Sequence, residues 1–170
     1  PITPRSRIDA VGEDVDTHVH VDHSAMLAPQ AGLGGQLAGL LHRHMASDPD
    51  FKIIVFFPTA NQTALWADVF GRLGLPVVEM HSRKSQARRD KVAAQFRAGG
   101  QLIMFSSDVS ARGVDYPNVT YVVQVGSPSS REQYVHRAGR TGRAGRTGSC
   151  CLLLADWEAP FLSKLSDLPI

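Results

Sequence analysis

The run Ile53-Ile-Val-Phe-Phe57 constrains this chain more than any other. Five consecutive apolar, β-prone residues leave no polar face, which suits a strand of a parallel sheet covered on both sides. Pro58 ends the run. Thr59 or Asn61 can then cap a helix reaching about Leu73, and Gly74-Leu-Pro76 stops it before a strand at 77–80. The alternation recurs. Residues 85–96 have helical spacing with Val92 and Phe96 inward, Gly99-Gly100 ends them, and 102–105 is another buried strand. Residues 119–125 and 150–155 supply two more strands on either side of an arginine-rich helix, and 157–165 close with a short helix. Strands alternating with helices through short joins predict an α/β fold: one doubly wound, mainly parallel sheet with helices on both faces. Upstream, leucines at 33, 37, 40 and 41 follow helical spacing despite four nearby glycines, and residues 15–21 alternate like an edge strand. Residues 1–15 read as a linker or tail, and 16–170 as the domain.

The chain has 170 residues, 43% of them apolar, enough for one good-sized core. It contains no twenty-residue apolar span and no signal-peptide pattern, so a soluble protein without a membrane partner is expected. A start at Pro1-Ile2 reads as a piece of a longer protein. Cys150 and Cys151, adjacent within an apolar run, read as small buried hydrophobes and point to a reducing compartment. The net charge of +2 hides a segregation: residues 83–97 carry a net +5 and residues 131–146 a net +4, leaving −7 for the rest. Such a local positive field favours a polyanion, nucleic acid or nucleotide, through counterion release.

The second basic window contains Tyr134-Val-His-Arg-Ala-Gly-Arg-Thr-Gly-Arg143, three arginines and a histidine spaced by small residues. If a helix starting after Ser130 runs through it, His136, Arg140 and Arg143 stand at i, i+4 and i+7 on one face. Arginine suits phosphate there because its planar fork holds two oxygens and stays charged. The candidate segments follow four different strands: Thr59 and Asn61, residues 81–89, residues 106–115, and residues 126–143. In a doubly wound sheet such loops gather at one edge, so a single shared rim is expected.

Taken together these segments resemble the second, C-terminal RecA-like domain of DEAD-box RNA helicases of superfamily 2. Ile54-Val-Phe-Phe-Pro-Thr59 is similar to the family's motif IV, and His81-Ser82 with Gln86 and Arg89 to its QxxR motif. Ser107-Asp-Val-Ser-Ala-Arg-Gly-Val-Asp115 is similar to motif V, with Ser107 in place of the usual threonine. Residues 134–143 are similar to motif VI. Residues 107–117 and 152–161 further resemble the subgroup of mitochondrial intron-splicing chaperones, which implies a mitochondrial location, with nucleus, nucleolus or cytoplasm as alternatives.

The resemblance implies roles residue by residue. Arg140 and Arg143 would act as arginine fingers on the γ-phosphate of ATP, and Asp115 would take the ribose hydroxyls, with Gly113 letting the backbone turn closely. Arg112, His136 and Arg137 would couple this domain to its neighbour. Thr59, Gln86, Arg89 and Ser107 would hold RNA by phosphates and sugars with little sequence preference. The chain has neither a GxxxxGK[ST] loop nor an Asp-Glu-Ala-Asp tetrad. ATP and Mg2+ would therefore be held mainly by a preceding RecA-like domain, and this piece alone, a monomer, would be inactive. A non-catalytic RNA- or protein-binding module and a DNA-directed superfamily 2 enzyme are the competing readings.

Among the remaining features, Arg88 and Lys91 suit a solvated face as well as RNA contact, and Asp108 suits a cap as well as a site. His18, His20 and Asp22 on one strand face, with His23 nearby, lack the second ligand cluster a metal site needs. Trp66, Phe96 and Trp157 read as core or interface aromatics and not as base-stacking platforms.

Overall fold

The computed structural model describes residues 21–108, 115–143 and 145–170. Its elements, in chain order, are β1 (Val21–Ala28), a 3-10 turn (Gln30–Gly32), α1 (Leu33–Ser47), β2 (Lys52–Phe56), α2 (Ala60–Arg72) and β3 (Val77–Met80). There follow α3 (Gln86–Ala98), β4 (Leu102–Ser106), β5 (Tyr121–Val125), α4 (Arg131–Ala138), β6 (Gly148–Ala155) and a 3-10 helix (Asp156–Leu165). The strands form one sheet in the order β1-β6-β5-β2-β4-β3, every pairing parallel.

β2 sits between β4 and β5, with Ile53 opposite both Ile103 and Tyr121. All five of its residues are buried, as an unbroken apolar run requires. Ile53, Val55 and Phe57 pack with Leu37 and Leu41 of α1 and Phe70 of α2. Ile54 and Phe56 pack on the other face with Val92 and Phe96 of α3, Tyr134 of α4 and Phe161 and Leu165 of the last helix. Each large side chain so buried contributes about 1.5–3 kcal/mol. The predicted fold is thus observed, with helices on both faces. No helix among the described residues is long and apolar enough to cross a membrane.

Local chemistry sets the helix starts. Thr59, Ser85 and Ser130 each accept a hydrogen bond from the backbone N–H three residues on, at 3.2–3.3 Å, capping α2, α3 and α4. Gly34 of α1 has a packing reason: a Cβ there would lie 2.6 Å from the Trp66 ring, which closes over the helix. At the far end of the sheet Lys52 is buried. Its Nζ donates to Arg97 O at the end of α3 (3.2 Å) and lies over the Phe96 ring, and burial lowers its pKa.

Several expectations need correction. Among the described residues the edge strand spans Val21–Ala28; residues 15–20 of the expected strand, His18 and His20 among them, lie outside the described residues. His23 is buried with its Nδ1 2.7 Å from the Tyr134 hydroxyl, so it serves the core and not a surface cluster. The arginine-rich helix ends at Ala138, because Gly139 caps it, and Arg140 and Arg143 stand in the following turn. Trp157 is 71% exposed, its indole N–H donating to Gln30 Oε1, so it is no core residue. Phe96 is fully buried and Trp66 packs edge-on to Phe70, both as predicted.

Candidate nucleotide and nucleic-acid interface

Because every pairing is parallel, all strands end at one edge of the sheet, and three of the predicted nucleic-acid contacts stand there. Thr59 follows β2 and is exposed at the cap of α2. Gln86 opens α3, exposed, with its amide N–H2 donating to Asp90 (2.7 Å). Ser107 follows β4 and is 8% exposed; its backbone N–H donates to Met80 O, tying the ends of β3 and β4 together. Arg89, one turn into α3, is half-buried, with its Nε sealed from solvent and unpartnered. Two contacts that the sequence reading missed brace this edge. Arg83 donates to Asn61, linking the β2 and β3 loops, and Lys84 pairs with Glu79. Neither is legible locally, since each partner is an ordinary polar residue in isolation.

The predicted nucleotide contacts form a second group, displaced from that rim. Thr141 Oγ1 donates to Val119 O at 2.5 Å, just ahead of β5, and the turn at Thr141 and Gly142 abuts Gly148, the first residue of β6. The finger turn therefore lies toward the amino ends of the strands, on the face covered by α3 and α4. Asp115 joins it: its carboxylate takes Arg143 Nη1 at 2.5 Å, and its carbonyl lies 3.5 Å from Nε of Arg97, in the last turn of α3. The expectation of one shared rim is accordingly replaced by two clusters, because α4 carries the chain from the carboxyl edge down to the turn.

Both arginines of this turn, Arg140 and Arg143, are directed by the backbone. Arg140 Nε donates to His136 O (3.2 Å) and Arg143 Nε to Gly139 O (2.8 Å). Burial, then the charge of Arg143, lowers the pKa of Arg140, with Asp115 opposing. His136 is exposed on α4. Arg112 and Gly113 lie outside the described residues.

Arg137 departs most from expectation. Read as a group reaching across to another domain, it is 1% exposed. Its Nε and Nη2 lie 2.8 and 2.7 Å from Asp108 Oδ1, and its guanidinium carbon sits 5.3 Å from the Phe56 ring centroid. Burial lowers its pKa while Asp108 holds it up. Asp108 is neither cap nor free: its other oxygen accepts from Gln133 Nε2 at 2.9 Å.

A parallel sheet of this order, with a carboxyl-edge polar rim and a paired-arginine turn after its fourth helix, defines a RecA-like domain of the helicase type. The chain belongs to the helicase conserved C-terminal domain family, which matches residues 36–145. It is 51% identical over 157 residues to DEAD-box ATP-dependent RNA helicase 25 of Oryza sativa subsp. japonica, covering 92% of this chain and 26% of that protein. It is 52% identical over 156 residues to DEAD-box ATP-dependent RNA helicase 31 of Arabidopsis thaliana, covering 92% of this chain and 22% of that protein. Among solved structures it is similar to Mss116p bound to ssRNA and AMP-PNP, with TM-score 0.82, 31% identity, and coverage of 89% of this chain and 31% of that one. It is also similar to Mss116p DEAD-box helicase domain 2 bound to an RNA duplex, with TM-score 0.77, 30% identity, and coverage of 86% and 59%. The chain thus spans about a quarter of the length of the curated relatives it matches.

Proposed function

We propose that this domain is the C-terminal half of the motor of an ATP-dependent RNA helicase. The observation that carries the reading is the finger turn. Two arginines, each with its Nε fixed on a backbone carbonyl, stand beside a carboxylate that already engages one of them. Cations held in this way need no reorganisation as negative charge builds on a transferring phosphoryl group, the main term in such catalysis. Asp115, 73% exposed in its side chain, is free on one side to accept ribose hydroxyls while Arg143 turns to phosphate.

Thr59, Gln86, Arg89 and Ser107 hold an RNA strand by its backbone at the carboxyl edge. Contacts of this kind position a strand without reading bases. The similar structures are bound to single-stranded RNA and a nucleotide analogue in one case and to duplex RNA in the other, which supports the same partners here. Among the described residues no three metal-ligating side chains cluster. The metal accompanying ATP belongs with a preceding RecA-like domain, and no step here passes through it.

The test is ATP turnover of the full-length protein with RNA, with DNA and with neither. Strong stimulation by RNA alone is expected. Turnover indifferent to RNA would overturn the reading, and equal stimulation by DNA would favour a DNA-directed enzyme.

A further inference from the structure

We infer that Arg137 and Asp108 are positioning residues that transmit RNA occupancy at the carboxyl edge to the finger turn, within this one domain. The inference rests on the function proposed above.

Three elements meet at the Arg137 guanidinium. Phe56, under its face, ends β2 three residues before Thr59. Asp108, on its edge, follows Ser107 directly. Arg137 itself lies in the last turn of α4, three residues before Arg140. Gln133, one turn earlier on α4, grips the second oxygen of the same carboxylate. A shift of the Ser107 segment on binding RNA therefore moves Asp108, and Asp108 drags both Arg137 and Gln133, hence the end of α4 and the turn behind it. The two clusters, separated along the face, are joined here through the buried Arg137 and its hydrogen-bonded partners.

Stability alone explains this arrangement poorly. Burying the Arg137 guanidinium costs much of what its attraction to the 43% exposed Asp108 carboxylate returns, and an apolar group of like volume over Phe56 would serve the core as well. What an ion pair adds is direction: a planar fork engages one orientation of the carboxylate, and at low dielectric it resists distortion. Lysine, a point charge, would keep the attraction and lose the orientation.

The experiment measures the affinity of the full-length protein for a non-hydrolysable ATP analogue with and without single-stranded RNA. Coupling between two sites is reciprocal and commonly 5- to 150-fold, so RNA should tighten the analogue by about tenfold or more in the wild type. In Arg137→Lys and Asp108→Asn that factor should fall to about twofold or less, while each ligand alone binds within about threefold of wild type. A merely structural role would instead weaken both binary affinities together with the melting temperature. Gln133→Ala, on a half-buried side chain, supplies a variant certain to fold, and its coupling should lie between the extremes. Full coupling in all three variants would overturn this inference alone. A wild type with no coupling would overturn the proposed function and this inference with it.

Discussion

A single methyl group at Gly148 tests how rigidly the finger turn is seated. A Cβ there would lie 2.1 Å from Thr141 Oγ1 and 2.5 Å from the backbone nitrogen of Gly142. Rotating the threonine relieves the first contact only, so the turn itself must move away from β6. That movement breaks the buried bond from Thr141 Oγ1 to Val119 O. Overpacking of this kind costs about 1–3 kcal/mol and the lost hydrogen bond about 1–2 more. A total of about 2–5 kcal/mol lowers the melting temperature of a domain this size by about 5–15 °C. Misplacing the arginines by about 1 Å should also cost about 10²-fold in RNA-stimulated turnover. Thr141→Val is the control: it keeps the volume, loses only the hydrogen bond, and should lower melting by about 2–6 °C. Scanning calorimetry and an ATPase assay on Gly148→Ala in the full-length protein give both numbers. Melting within about 2 °C of wild type together with unaltered turnover would show that the turn is not pinned against β6, and the reasoning would fail.

Two further outcomes are expected. Arg143→Ala removes a guanidinium whose ion pair is with an exposed carboxylate, so stability should change by less than about 1 kcal/mol while RNA-stimulated ATPase falls about 10³-fold or more. Burial pushes the Cys150 thiol up to about 12 against an ordinary value of 9.0. Folding then favours the neutral thiol, so its contribution is intact below pH 9 and is lost as pH rises toward 12, at about 1.4 kcal/mol per pH unit. Chemical denaturation of Cys150→Ala across that window should show a shallower alkaline decline, and an unchanged slope would count against burial as the cause.

The centre of the sheet was legible because a strand with neighbours on both sides and helices on both faces has no use for polar residues; residues 53–57 could be little else. β1 was not, because an edge strand is covered on one side only. Its sequence, with Asp22 and Ser24 exposed and His23 buried but Ala25 and Leu27 exposed in turn, has no clean period. The helix starts followed from Thr59, Ser85 and Ser130. The end of α4 was readable from Gly139, yet a count of arginines at helical spacing ran through it. The placing of Thr59, Gln86 and Ser107 at the carboxyl edge was legible from their positions after apolar strands. The buried setting of Arg137 was not, since only Asp108, twenty-nine positions away in the chain, distinguishes it from the exposed arginines beside it.

The pairing of β1 with β6 joins Val21 to Gly148 and Ala28 to Ala155, the first described strand to the last. On a ribosome adding about 5–20 residues per second, β1 emerges and then waits roughly 6–25 s before β6, its neighbour among the described strands, exists. Throughout that interval Leu27 and Met26 have no strand to lie against. β2, β3, β4 and β5 are synthesised meanwhile, so four neighbouring strands can pair before the amino-terminal border is sewn on last.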